Sequence, residues 1–541
     1  MSSSVSTANL GSFTRTLVLL VAAVGFLFDT YELLMFPVIG SDAVGELVRA
    51  NPDGSSPGWL GELGFTGNPE LKRGAPPTSP LVRAWGGRML WIAALFGGIF
   101  GLLGGLLIDR LGRKTIMIAS ILAYSVSPLA AAFSSELWHL VLFRSTTFIG
   151  VCVEMIAAVT WLAELFEDKR TRELVIGWTL ATASLGGILV TTAYNGIVRL
   201  AESHNLPEVP FPEGHLPGNV AWRFTLLTGL IPGAAILFLM PFVPESGVWK
   251  RKKQDGTLKR PSFFELFSPQ LRVTTIVTTL LSACGYAAAF GAIQMTPLQI
   301  VAGLPDLAPN VVESKKAQKK LDAAEAKLKE TKEDAPEYAA RKAQVDEAHT
   351  AKDEADQPLK KRRGNIQLWQ ELGGLTGRIM LAILLLFIPS RWLLRLFLIP
   401  GVILLPLTYF RLVQEDYTIF AIAIFFCGLL TVAQFSFLSE FLPRVFPMHL
   451  RGTGGSFASN FGGRMIGTMA AFLNTELLAP LFPGTTPLQV ASAAGVIGGS
   501  VFLIALLATF FLPSPHEEVE KQAAVYGRDE ALNEPKSETV D

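Results

Sequence analysis

The chain divides into windows of about 20 apolar residues set apart by short charged interruptions, and a helix of that length crosses a hydrocarbon core of about 30 Å. Twelve such windows lie near 15–38, 89–108, 115–133, 139–163, 174–198, 222–243, 273–301, 367–388, 395–412, 417–441, 455–478 and 488–512. Half of the residues are apolar and only 17% are charged, against about a quarter charged in a soluble domain. The chain is therefore expected to be an all-α, multi-pass membrane protein.

Lys and Arg balance Asp and Glu at 46 each, so no overall field draws the chain to nucleic acid. Cys152, Cys284 and Cys427 all lie inside apolar windows, where a thiol behaves as a small hydrophobe, and they offer no metal spacing. One Arg precedes the first window and no small-residue cleavage site follows it, which marks a retained first span.

Short loops set the orientation. ArgLeuGlyArgLys at 110–114, LysArgThrArg at 169–172 and LysArgLysLys at 250–253 fall on one side, and the loops 134–138 and 479–487 on the other carry no Lys or Arg. The positive-inside rule then places both termini in the cytoplasm, at the plasma (inner) membrane of the cell.

The expected layout is a tail over 1–14, a first bundle over 15–243, a cytoplasmic linker over 244–272, a second bundle over 273–512 and a disordered cytoplasmic tail over 513–541. The Pro- and Gly-rich stretch 40–87 and the segment 199–220 read as external loops.

An insert over 303–366 separates the seventh and eighth windows and falls outside by the helix count, although LysLysArgArg at 360–363 runs against the charge rule. Its runs 311–333 and 336–356 are rich in Ala, Lys, Glu and Leu and meet at Pro336, which predicts a polar helical hairpin. Leu321, Ala324 and Leu328 give it a thin apolar stripe. It reads as a solvated spacer or lid, or as a coiled coil that binds a protein partner through 309–358.

The sequence GlyLeuLeuIleAspArgLeuGlyArgLysThr at 105–115 joins the second and third windows. Gly105 allows close helix approach, Asp109 accepts hydrogen bonds from a helix N-terminus or a guanidinium, and Gly112 permits a tight turn. Arg110, Arg113 and Lys114 anchor the loop at an anionic surface. Gly, Asp, Gly and paired bases in this order fit a latch between helices.

This stretch resembles the loop signature of the major facilitator superfamily. Arg144 and Glu154 on the fourth window, with Glu164 ten residues on, resemble the sugar and organic-ion branch, with Phe148, Cys152 and Val153 where that branch has glycines. ProGluSerGlyValTrp at 244–249 and ArgGlyThrGlyGlySerPhe at 451–457 resemble two further family signatures, whereas ProSerArgTrpLeuLeuArg at 389–395 lacks the Asp and Gly of the corresponding loop. The resemblance implies twelve transmembrane helices in two pseudo-symmetric six-helix bundles around a central site that opens alternately to either face.

Ionisable residues inside the windows are the candidates for work, since a charge at that depth costs about 2.5–3.5 kcal/mol on insertion scales. Asp29 and Glu32 share a face of the first helix, and Asp29 is favoured as a proton carrier; Glu32 is either its partner or a hydrated residue near the outer end. Arg144 and Glu154 lie about 15 Å apart along the fourth helix and do not pair; Glu154 is the better proton site, and the resemblance associates Arg144 with proton coupling.

On the eleventh helix Asn460 and Arg464 face the same way. Arg464 is either a packing charge paired with an acid such as Glu440 or the ligand of a substrate carboxylate. Gln294 and Gln434 add hydrogen-bonding capacity in a cavity or pack as lone polar residues.

No phosphate loop GxxxxGK[ST], nucleophile motif or metal-ligand spacing is present, so the expected protein is not an enzyme or an ATP-driven pump and needs no cofactor beyond a coupling proton. These features point to a monomeric secondary transporter in the lipid bilayer, a symporter of a proton with a small organic acid or sugar acid. An exporter exchanging protons for drugs or metabolites and a sensor displaying the hairpin are the alternatives.

Overall fold

The computed structural model describes residues 12–165, 169–203, 221–239, 263–331, 335–447 and 450–513, with a few short stretches or single positions between them, Glu245 included. All of the tail over 513–541 except Pro513 and most of the 244–272 linker lie outside the described residues.

Span 1 is Ser12–Leu47, span 2 Pro80–Leu111, span 3 Arg113–Ala132, span 4 Leu137–Leu165 and span 5 Lys169–Glu202. Span 6 comprises Ala221–Thr228 and Leu230–Leu239. In the second half, span 7 covers Arg272–Leu298, and span 8 is the membrane part of the helix Tyr338–Leu384. Span 9 is Ser390–Phe410, span 10 Tyr417–Val445, span 11 runs from Arg451 to Leu478, and span 12 is Thr486–Ala508.

Among the described residues, eight helices are long and apolar enough to cross a bilayer by length and composition alone. Spans 8 and 11 fall short of that measure because Gln367, Gln370, Glu371 and Arg378 break the first and Asn460, Arg464 and Glu476 break the second. The shortfall in hydropathy marks the helices that carry polar groups into the interior.

The two halves repeat one another. Span 1 packs on span 5, span 2 on span 4 and span 3 on span 6; span 7 packs on span 11, span 8 on span 10 and span 9 on span 12. The bundles meet through span 2 on span 11 and span 5 on span 8, again an equivalent pair. The fold is thus two pseudo-symmetric six-helix bundles.

One apolar core cluster runs through both bundles at the hairpin end, from Met35 and Trp85 to Leu298 and Tyr409. Toward the end that carries the termini, separate clusters serve the second bundle and the first. In this state the halves are closed together at the hairpin face.

Several boundaries differ from the sequence expectation. Span 1 continues to Leu47 and span 2 begins at Pro80, so the loop expected over 40–87 is shorter. It holds the helix Trp59–Leu63 and a two-stranded ribbon, Arg49–Ala50 against Lys72–Arg73. A buried ion triad fixes this loop: Glu62 accepts from Arg88 at 2.7 Å and from the Trp85 indole at 2.9 Å, while Arg88 also meets Glu476 of span 11.

Glu136 ties the same loop to the turn between spans 3 and 4 through Arg49 and Arg73. Burial pushes the Glu136 carboxyl up, but the hydrogen bonds from Arg49 and the charge of Arg73 outweigh it and hold the group below its ordinary range. A depressed carboxyl contributes stability above its unfolded value near pH ~4.3 and loses it as pH falls through the folded value. Glu136→Gln is therefore expected to lower the melting temperature at pH ~7 and to flatten the acid limb of the stability profile, measured by thermal unfolding of purified protein.

The insert folds as two helices, Ala308–Lys329 and the first part of Tyr338–Leu384, with Pro336 between them. The second helix does not stop before the membrane. It passes through Pro358 and runs unbroken into span 8.

Phe148, Cys152 and Val153 of span 4 are accommodated by glycines on the facing helix. A side chain at Gly97 of span 2 would meet the Phe148 carbonyl at 3.0 Å and Cys152 Sγ at 2.8 Å, and Gly104 faces Val153. The small residues have moved to span 2, and the close packing survives. Gly97→Leu should cost about 1–3 kcal/mol by overpacking, read as a lower unfolding midpoint.

Candidate functional site

Asp29 and Glu154 meet at the centre of the first bundle. The face of span 1 toward span 4 carries Gly25 and, one turn on, Asp29; a Cβ at Gly25 would lie 2.6 Å from Glu154 Oε1. Gly25 makes the room in which the Glu154 carboxylate sits beside Asp29. Asp29 is 7% exposed and Glu154 fully buried, and among the described residues none of their four oxygens has a normal hydrogen-bond donor. Leaving a buried carboxylate so is costly unless a proton or a cation compensates it.

The compensating cation comes from the other bundle. Arg464 of span 11 is buried, donates from Nη1 to Asn460 Oδ1 at 2.5 Å and reaches Met155 Sδ at 3.8 Å from Nη2, and its charge acts on Asp29. Its Nε has no acceptor among the described residues. Span 11 is π-helical over Phe457–Gly467. Span 2 also yields to it, because a Cβ at Gly101 would sit 2.7 Å from Asn460 Oδ1. Two acids of one bundle and one guanidinium of the other thus face each other across the seam between the halves.

The pair expected on span 1 is replaced by this one. Glu32 turns away from Asp29 toward Gly229 of span 6, where it is 1% exposed and its oxygens lack donors. Arg144 lies near it but donates to the backbone carbonyls of Glu32 and Leu33, at 2.7 and 3.0 Å, and stacks over Phe148. Arg144 holds span 1 against span 4 through the main chain.

A buried carboxylate of the second bundle was not apparent from sequence. Glu371 of span 8 accepts from Gln367 Nε2 at 3.0 Å and Gln370 Nε2 at 3.1 Å on one oxygen and packs against Gly187 of span 5. Gln294 of span 7 and the charge of Arg378 act on it too. Each glutamine turns its nitrogen to the carboxylate, so the carbonyl oxygens of Gln294, Gln367 and Gln370 are left without donors. Gln434 is buried but only back-bonds Leu430 in its own helix, at 3.5 Å. The Glu440 side chain lies outside the described residues, as does that of Glu164.

The sequence model of the Major Facilitator Superfamily matches residues 74–314. That stretch is somewhat under half of the chain, and over it the chain resembles that superfamily. It is 24% identical over 201 residues to a probable 4-methylmuconolactone transporter of Cupriavidus pinatubonensis, covering 37% of this chain and 43% of that protein. It is 26% identical over 220 residues to a 3-(3-hydroxy-phenyl)propionate transporter of Escherichia coli, covering 40% of this chain and 48% of that protein. The chain thus matches less than half the length of either relative.

The fold is shared more widely. A D-xylose-proton symporter structure superposes with a TM-score of 0.58 at 15% identity, covering 93% of this chain and 98% of that one. The inward open form of a xylose transporter from E. coli gives 0.56 at 14% identity, covering 92% and 96%.

The loop between spans 2 and 3 that resembles the family signature closes as a cap. Gly112 takes φ +101°, a region that favours glycine, and turns span 2 into span 3. Glu245, from the ProGluSer segment, accepts from the backbone N–H groups of Arg113 and Lys114 at 3.1–3.2 Å. The helix N-terminus is satisfied by that carboxylate. Arg110 is exposed, and the side-chain placements of Gly105 and Asp109 lie outside the described residues.

Proposed function

We propose that the protein is a secondary active transporter that carries a small organic acid together with a proton by alternating access. The observation that carries this reading is the placement of Asp29 and Glu154 of one bundle against Arg464 of the other, all buried at the seam. The named relatives are a probable 4-methylmuconolactone transporter and a 3-(3-hydroxy-phenyl)propionate transporter, and a guanidinium matches a carboxylate through its planar fork. Glu371 and its three amides are suited to hold a substrate's hydroxyl groups.

Charge balance supplies the coupling. In the empty site Arg464 compensates one of the two negative charges of the acid pair. An anion on Arg464 takes that compensation away, and a proton on Asp29 or Glu154 offsets the added charge in the low-dielectric seam. Anion and proton are loaded together because either alone changes the buried charge. The loaded site carries the same net charge as the empty one, so loading adds no further charge to turn through the apolar barrier.

The hairpin face is assigned to the outside and the termini to the cytoplasm of a cell with this protein in its plasma membrane. Purified protein in liposomes, with an imposed inward proton gradient and labelled hydroxybenzoate, hydroxyphenylpropionate or a neutral pentose, tests the reading. Accumulation of an acid that follows the gradient is expected. Uptake indifferent to the gradient removes the proton, and uptake of the pentose alone removes the acid.

A further inference from the structure

The insert is rooted in the second bundle at both ends, after span 7 and through the unbroken helix Tyr338–Leu384. Its base nevertheless grips the first bundle. Arg363 Nη1 lies 2.8 Å from Asp42 Oδ2 and donates to the Val38 carbonyl at 3.2 Å, both on span 1. Lys361 Nζ is 2.5 Å from Glu202 Oε1 at the end of span 5, and Gly364 packs against the amide of Asn195 on the same helix. A spacer attached only to its own bundle would make none of these contacts.

The Lys361–Glu202 pair is exposed, but the grip at Arg363 is buried and stiffened. The side chains of Arg363 and Asp42 are 5% and 15% exposed. Lys360, also buried, stands between Asp353 on its own helix and the charge of Asp42. One turn further out Asp356 accepts from Lys352 at 3.1 Å and from Ser314, joining the two arms of the hairpin. A cavity of about 80 Å³ lies beneath, lined by Asp42, Glu46, Lys352, Asp356 and Lys360 among others. This charge layer sits over the apolar cluster that joins the bundles at the hairpin face.

We propose that the hairpin is a strap across the two bundles, with Arg363–Asp42 as its clasp, which must unfasten before the hairpin face can open. Spans 1 and 5 move with one bundle and span 8 with the other, so any parting of that face stretches the Arg363–Asp42 and Lys361–Glu202 pairs. Opening lets water reach both charges and repays part of the loss, so the clasp biases the equilibrium without locking it. It sets how much of the resting population faces the hairpin side.

The inference rests on the alternating-access reading but not on the cargo, and it is tested without substrate. All three native cysteines are buried, so spin labels at Ser203→Cys and Gln414→Cys, which end spans 5 and 9 at the hairpin face, report the gap between the bundles in full-length reconstituted protein. Asp42→Asn and Arg363→Ala are each expected to raise the long-distance population about tenfold, a coupling of ordinary size. Asp42→Arg combined with Arg363→Asp should return the distribution toward wild type. Two populations that ignore both single substitutions overturn the strap alone. A single fixed distance in every variant, with labels at the opposite face fixed as well, sinks alternating access itself.

Discussion

Asp29→Asn is expected to abolish proton-driven accumulation while leaving exchange of labelled for unlabelled substrate within a few fold of wild type. Asn keeps the volume of the side chain beside Glu154 but holds no exchangeable proton or charge. The neutral site then no longer needs a proton when an anion occupies Arg464. Linked sites are commonly coupled by about 1–3 kcal/mol, so the accumulated ratio should fall by about 5- to 150-fold. Glu154→Gln should do the same. The double substitution should add little, because the two carboxylates act as one unit across spans 1 and 4. Accumulation that survives in both single variants would remove this pair as the proton site, and full inhibition of exchange as well would make it a structural pair.

The reason this pair was only half legible in sequence is geometric. Asp29 and Glu154 each stand out as an acid in an apolar run, and Arg464 as a base, so their cost in lipid marks them without any structure. Their partnership is tertiary. The i,i+3 rule joins Asp29 to Glu32 on one helix face, but the 100° per residue of a helix leaves enough spread for Asp29 to turn to span 4 while Glu32 turns to span 6, where Gly229 gives it room.

Glu371 shows a different failure. It lies in the window 367–388, which follows the charge-rich insert directly, and neither it nor Gln367, Gln370 and Arg378 stands among the candidates read from the sequence. Their spacing of three, four and seven along one helix was the available signal, since a polar stripe that continues past the membrane boundary faces protein and not lipid. The insert itself was readable as two helices from composition and Pro336. Its grip on span 1 was not, because nothing in a local pattern says which bundle a surface helix leans on.

Arg464 is where the reading of an acid substrate stands or falls. The competing role, a packing charge for a carboxylate of its own bundle, predicts that Arg464→Ala lowers stability and leaves ligand choice untouched. The substrate role predicts the reverse emphasis. Truncating one partner of a buried, hydrogen-bonded charge pair costs about 2–5 kcal/mol, so affinity for the transported acid should drop by about 30- to 4,000-fold. The methyl ester of the same acid, which lacks the charge but keeps the body, should bind wild type weakly and Arg464→Ala about equally weakly. Arg464→Lys discriminates further: the ammonium restores charge but not the planar fork, and Asn460 Oδ1 is then held by a point donor, so affinity should recover only in part. Equal losses for acid and ester in Arg464→Ala, accompanied by a lower melting temperature, would return the guanidinium to a role in helix packing and leave the acid pair of the first bundle to a neutral or cationic cargo.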